Sequence, residues 1–347
     1  MSGTRTCVSV EGESFVVNGT ATHAGKSWNG HSIEGLLFNS RMVQALTDDE
    51  NPSTRGVWMY PDGEDFSAER NNREFLAALP EYRAHGLDAV GINLQSGSPQ
   101  GYSNVQPWII TGFNADGSLK RPWLDRLDKV IAETDRLGMV VILGLFYWKQ
   151  TRIFADEEAV RRAVTNTVDW LAERGARNVL MEIGNEVDLP FAQPIIEAER
   201  CHELIRLAQS HSTGKFDTPA KRLLVSTSLA RPKPVGANIM ECADFLLLHG
   251  NGTHHPDSVR LMVRANRAQP AFRPVPVMIN EDDHFDFDQP DNNFAAAIGE
   301  RASWGYFDYR MNRERYEDGF QSLPVDWSIN SPRKKAFFDL LKTITGA

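Results

Sequence analysis

The feature that most restricts the fold of this chain is an eightfold alternation of short apolar runs with longer stretches of helical periodicity. The runs fall at 35–39, 89–93, 140–146, 179–185, 223–226, 245–249, 277–281 and 304–308. Apolar, β-branched runs of this length read as strands buried on both faces, the signature of a parallel sheet. The segments between them carry helix signals. Residues 67–85 place Phe75, Leu76, Leu79 and Tyr82 at three- and four-residue steps and stop at His85-Gly86. Residues 122–137 begin on a proline and stop at Gly138. Further helices are expected at 156–174, 193–209, 257–268, 291–302 and 332–345, whereas the proline-rich crossover at 231–242 carries the weakest signal. Eight strand–helix units favour a closed α/β barrel, the (β/α)8 or TIM barrel, over an open doubly wound sheet. No glycine-rich phosphate fingerprint follows the early strands, which also weighs against a dinucleotide fold. A hairpin is expected first, at 7–10 and 14–17 with its turn at Glu11-Gly12. The chain thus reads as one barrel domain over 1–347, of which 1–30 are hairpin and lead-in.

Composition narrows the partners. A formal charge of −9, from 46 acidic against 37 basic residues, argues against a nucleic acid or an anionic membrane surface. Three scattered cysteines, Cys7, Cys201 and Cys242, form neither a disulfide framework nor a metal-knuckle spacing. No run approaches the ~20 apolar residues that span a bilayer. The first residues show no secretion signal, so a soluble cytoplasmic protein is expected, with a homo-oligomer left open.

Two Asn-Glu pairs carry the chemistry. Asn185-Glu186 closes the fourth run and Asn280-Glu281 the seventh. In such a barrel the carboxyl ends of the strands form the active mouth. Two glutamates delivered there from different strands are the minimum equipment for breaking a glycosidic bond. Either could instead cap a strand or pair with an arginine. In these ordinal positions the pairs make the chain resemble the retaining glycoside hydrolases of clan A, whose fourth strand ends in Asn-Glu and whose seventh ends in a glutamate. The resemblance implies that Glu186 is the acid and later the base, its pKa raised toward neutrality, and that Glu281 is the ionised nucleophile. It implies about 5–5.5 Å between the carboxyl groups, where an inverting pair stands at ~6.5–9.5 Å. It also implies a carbohydrate substrate and no cofactor, and favours an equatorial leaving group.

Several further residues are substrate-binding candidates. The resemblance implies that Asn185 bonds the sugar 2-hydroxyl, that His249 touches the nucleophile and that Trp304 forms a floor under the first sugar. A turn residue, a loop support and barrel packing are their respective structural alternatives. Arg41, after the first strand, could orient the nucleophile. Asn93 and Gln95, after the second, could read sugar hydroxyls, as could Asp188. Phe146, Tyr147 and Trp148, with Trp58 and Trp108 in the early loops, offer flat faces for stacking. Glu182 shares the strand side of Glu186 but lies deeper, where a structural ion pair is expected. Asn251 stands in the Gly-Asn-Gly turn after His249, while Asp283 and His284 belong to an acidic run at 281–288. That run could bind sugar, or with His249, His254 and His255 hold Mg²⁺, Mn²⁺ or Ca²⁺. The competing readings are therefore a metal-dependent sugar isomerase or lyase and a non-catalytic carbohydrate-binding barrel. Long loops at 43–66 and 95–120 suit an exo-acting enzyme on short glycans.

Overall fold

Eight parallel strands close a ring in the computed structural model of the chain, which describes residues 6–100, 105–230, 232–308 and 314–347. They are β1 Asn39–Arg41, β2 Ala89–Asn93, β3 Val140–Tyr147, β4 Val179–Asn185, β5 Leu224–Ser226, β6 Leu246–His249, β7 Val277–Glu281 and β8 Gly305–Tyr306. Six of them pair in the unbroken order β5-β4-β3-β2-β1-β8, and β6 pairs with β7. Parallel bridges from Met278 to Ser303 and from Asp282 to Tyr306 join β7 to β8. The amide of Asp244 donates to Val225 O at 3.0 Å and the Ser226 hydroxyl donates to Phe245 O, which joins β5 to β6. The chain is a (β/α)8 barrel.

Among the described residues eight helices surround the strands: α1 Ala68–Ala84, α2 Arg121–Leu137, α3 Glu157–Glu173, α4 Cys201–Ser212, α5 Ala237–Met240, α6 Pro256–Arg267, α7 Asn293–Gly299 and α8 Pro332–Thr345. Four of them start at side chains that accept otherwise unpaired amides: Ser67 from Arg70, Asp156 from Ala159, Asn292 from Ala295 and Ser331 from Lys334. None is long and apolar enough to cross a membrane.

Four expectations are corrected. The first strand runs Asn39–Arg41 rather than 35–39, because Gly35 turns at φ +81° against Ser14 and residues 36–38 only lead into the ring. Arg41 is therefore inside a barrel strand, not beyond it. The helix expected at 193–209 is a 3₁₀ turn at Pro194–Ile196 followed by α4. The helix expected at 291–302 is trimmed to Asn293–Gly299. The N-terminal hairpin, Val8–Glu11 with Ser14–Val17, gains a third strand at Thr20–Ala21.

This small sheet decides which end of the barrel can work. Val8 and Phe15 pack with Ala89, Val140, Ile142, Leu180, Leu224, Phe245, Leu247 and Met278 in one buried cluster. Those are the amino-terminal portions of the strands, so the lower mouth is sealed by apolar side chains. The carboxyl ends stay open.

Candidate active site

Strand alternation alone would misplace Glu281. Met278 faces the barrel interior with Leu180 and Leu247, so period-two geometry would turn residue 280 inward and residue 281 outward. A register shift between β6 and β7 reverses this: Leu248 pairs with Ile279, but His249 pairs with Glu281. The extra residue, Asn280, is the bulge. Gly305 accommodates it, since a Cβ there would lie 3.0 Å from the Asn280 carbonyl carbon. The bulge aims Glu281 into the mouth.

There it meets three partners. Arg41 Nε lies 2.6 Å from Glu281 Oε2, with the side chains only 3% and 5% exposed. The N–H points off that axis, so the contact is a buried charge pair rather than an aligned hydrogen bond. Asn251 Nδ2 donates to Glu281 Oε1 at 2.7 Å. His249 Nδ1 lies 3.0 Å from Glu186 Oε1 and 3.6 Å from Glu281 Oε2, so one imidazole bridges both carboxylates. Burial alone would pull its pKa down, but the charge of Glu281 and the hydrogen bond and charge of Glu186 outweigh that and raise it. Arg41 also donates through Nη2 to Asn185 Oδ1 at 2.6 Å. One guanidinium thus links β1, β4 and β7.

Glu186 sits just past the end of β4 with φ +59°, a left-handed conformation that glutamate adopts only under constraint. Its amide is held by the Ser228 hydroxyl at 3.1 Å. The same hydroxyl donates to Glu182 Oε1 at 2.5 Å, four residues deeper along the strand. Burial raises the pKa of Glu182, against the opposing pull of Arg41, His249 and Ser228. Glu182 is a supporting group beneath the mouth, separated from the open cavity.

Above the pair lies a cavity of about 260 Å³ lined by Arg41, Ser98, Gln106, Tyr147, Trp148, Asn185, Glu186, Leu189, Glu281, Phe307 and Gln321. One wall is a chain of neutral polar groups: Gln106 Nε2 donates to Ser98 Oγ at 2.8 Å, Ser98 Oγ lies 3.2 Å from the Tyr147 hydroxyl, and Gln321 Nε2 donates to Ser98 O at 3.2 Å. Ser98, Gln106, Leu189 and Gln321 were invisible in the sequence because they come from loops with no strand-end register, and Phe307 lay within the run expected at 304–308, of which only Gly305–Tyr306 is strand. Only their position after β2, β4 and β8 pointed to the mouth.

Other candidates lie elsewhere. Trp304 is no sugar floor; its indole N–H donates to Asp282 Oδ2 at 2.9 Å, and its ring stacks on Phe294 at 4.8 Å. Gln95 is consumed by structure, bonding Thr111 Oγ1, Gln150 O and the Tyr147 amide. Asn93 is buried against Gly144, whose missing Cβ makes room for its amide. Asp188 Oδ1 accepts the Ala230 amide at 2.7 Å. Trp58 and Trp108 pack edge to face in the core. Asp283 and His284 stand beside the mouth rather than among the residues lining the cavity.

Two groups among the described residues could hold a metal ion by proximity: Glu186, His249 and Glu281, and Asp282, Asp283 and His284, each offering atoms within 4.8 Å of one another. In the first, the Arg41 guanidinium already supplies the positive charge that an ion would bring. What remains is two carboxylates whose facing oxygens lie within 4.8 Å, one on an arginine and both on a histidine.

No family model and no curated protein sequence matches the chain. In fold it is similar to three solved structures. One, a Bacteroides vulgatus protein provisionally named a glycoside hydrolase, has a TM-score of 0.58 at 14% identity; the match covers 99% of this chain, which spans 62% of that protein's length. A glycoside hydrolase family 5 enzyme from Prevotella bryantii has a TM-score of 0.53 at 11% identity, covering 89% of this chain and 96% of its own. An endo-1,4-β-mannanase from Rhizomucor miehei has a TM-score of 0.59 at 11% identity, covering 98% of this chain and 99% of its own. At these identities the likeness is one of architecture, the (β/α)8 barrel.

Proposed function

We propose that this chain is a retaining glycoside hydrolase acting on a short, uncharged glycan or glycoside. The observation that carries the reading is the separation of the Glu186 and Glu281 oxygens, within 4.8 Å. With both oxygens on one imidazole nitrogen, at 3.0 and 3.6 Å, the closeness favours the ~5–5.5 Å between carboxyl groups of a double-displacement pair over the ~6.5–9.5 Å of an inverting pair. The barrel neighbours named as glycoside hydrolases support it, although fold alone does not assign activity.

The residues then take these roles. Glu281, paired with the Arg41 guanidinium and oriented by Asn251, attacks the anomeric carbon as a carboxylate. Glu186, in its protonated form, gives its proton to the departing oxygen as that bond breaks. The covalent glycosyl ester on Glu281 is cleaved when water, deprotonated by Glu186, attacks the same carbon and Glu281 leaves as carboxylate. Asn185, fixed through its oxygen by Arg41, presents its amide to a sugar hydroxyl. His249 couples the two glutamates. Trp148, partly exposed at the rim, offers a stacking face. Among the described lining residues Arg41 is the one cation, and its charge is taken up by Glu281, so a neutral sugar fits better than a uronic acid. The cavity falls below the ~300–1,000 Å³ typical of drug-sized ligands, which favours one or two rings and exo action.

The test is a panel of aryl glycosides, followed by trapping with a 2-deoxy-2-fluoro analogue of the best substrate and peptide mapping by mass spectrometry. A sugar ester on Glu281 is expected. Turnover with no trapped ester, or an ester on another residue, would refute the assignment, as would failure to hydrolyse any glycoside.

A further inference from the structure

We infer that the rim of the barrel carries a binding site for one divalent transition-metal ion, of the zinc, nickel or copper type, between His254 Nδ1 and His284 Nε2. The site is independent of the hydrolase reading. His254 lies on the loop between β6 and α6, and His284 on the loop between β7 and α7.

Distances carry the inference. The two nitrogens are 3.3 Å apart, and the ring centroids are 5.3 Å apart with planes inclined by 77°. The contact is longer than the ~2.9–3.0 Å at which N–H···O hydrogen bonds are commonest. Two imidazoles on one tetrahedral ion, each nitrogen about 2.05 Å from the metal, must have their nitrogens about 3.3 Å apart and their centroids about 5.2 Å apart. The observed pair meets both values.

The surroundings agree. Asp282, fully buried, accepts the Trp304 indole N–H at 2.9 Å and Asn293 Nδ2 at 3.0 Å, and its other oxygen lies 2.5 Å from His284 Nδ1. A carboxylate that fixes Nδ1–H leaves Nε2 as the lone-pair nitrogen, the arrangement that orients metal-binding histidines. Asp283 and Asp286 add negative charge around the same ring. His254 is exposed, so water can complete the coordination. Nitrogen ligands select borderline ions over Mg²⁺ or Ca²⁺. An ion here would clamp the loop that carries Asn251, and with it the amide on Glu281.

The test is calorimetric titration of the intact protein with ZnCl₂ and NiCl₂ at pH 8, on wild type, His254→Ala, His284→Ala and Glu281→Gln. One ion per chain is expected in wild type, with affinity at least tenfold weaker in each histidine variant and within twofold of wild type in Glu281→Gln. The melting temperature should rise with zinc in wild type and Glu281→Gln only. Because His254 is exposed, its variant keeps the fold, which circular dichroism verifies, and it decides the matter if His284→Ala misfolds. Absence of binding, undiminished binding in His254→Ala, or binding lost only in Glu281→Gln, which would put the ion on the catalytic carboxylates, would each overturn the inference.

Discussion

Replacing Arg41 with methionine tests the electrostatic core of the site. Methionine keeps much of the volume and removes the charge. The guanidinium and the Glu281 carboxylate are 3% and 5% exposed and 2.6 Å apart at their nearest atoms. At an effective dielectric of about 20, unit charges roughly 4 Å apart attract by about 4 kcal/mol. Removing one member of a buried pair costs about 3–5 kcal/mol, mostly because the other charge is left stranded. Urea denaturation of Arg41→Met should therefore show a loss of about 3 kcal/mol. The specificity constant should fall at least a hundredfold, since each ~1.4 kcal/mol of transition-state stabilisation is a factor of ten. If a stranded charge is the cause, Arg41→Met/Glu281→Met should be more stable than Arg41→Met alone. The coupling energy should exceed ~1.5 kcal/mol, where independent sites add within ~0.5 kcal/mol. Additive effects, or a single variant that keeps its activity within threefold, would refute the reasoning.

Other outcomes are expected from the same geometry. Glu186→Ala should slow glycosides with poor leaving groups by about 10²–10⁴-fold, spare dinitrophenyl glycosides in the first step, and respond to added azide; equal loss on both substrates, read by stopped assays, would remove it as the acid. Trp148→Ala should raise KM several-fold with little change in kcat, as fits a stacking face worth about 1 kcal/mol; a kcat effect alone would contradict this. The raised pKa of His249 means that its pairing stabilises the fold fully below the unfolded value of about 6.5 and is lost as pH rises through the folded value. The melting-temperature gap between wild type and His249→Asn should accordingly narrow above that pH, and a widening gap would reverse the sign of the argument. For Glu182, raised by burial, Gln should keep the Ser228 bond and change stability by no more than about 1 kcal/mol, whereas Leu should cost about 1–3 kcal/mol by stranding the hydroxyl; equal losses in urea titrations would show that charge matters there.

The strands buried on both faces were the most legible part of the chain. β2, β4 and β7 fall at the residues that apolar content and length indicate, and α8 begins and ends where Pro332 and Gly346 place it. β1 was misread by several residues because Leu36, Leu37 and Phe38 are apolar for another reason, packing under the N-terminal sheet and the outer helices. Glu186 and Glu281 could be picked out as strand-end carboxylates, but their convergence could not. It depends on a bulge at Asn280 that periodicity would have excluded, and on an arginine from β1 whose partners are 144 and 240 residues away. Aromatic and amide residues were the least legible. Trp304, Gln95 and Asn93 are chemically suited to a sugar, and only their partners, Asp282 and Phe294, Thr111 and Gln150, and Gly144, assign them to packing.

Sequences usually depart from local rules where something other than stability is being served. Here four departures meet at the carboxyl end of the barrel. A glutamate holds a left-handed turn at residue 186, a carboxylate is buried at 182, an arginine is buried at 41, and the bulge at 280 interrupts a parallel ladder. His249 Nε2, Asn251 Oδ1 and Glu281 Oε2 are buried without an aligned hydrogen bond. Left-handed φ in a residue with a Cβ and a buried orphan polar atom each cost about 1–3 kcal/mol. Elsewhere the left-handed non-glycine residues, Asn18, His23, Asn29, Lys221 and Arg301, sit in turns and bends outside the barrel interior, and Val8, Phe15, Leu37, Val140 and Met278 close the lower end of that interior with apolar contacts. A barrel selected only to fold would place glycine or asparagine at 186 and an aliphatic residue at 182. The sealed lower end and the ring of helices hold the strand termini in place, so that two like charges can face each other across a shared imidazole and one guanidinium.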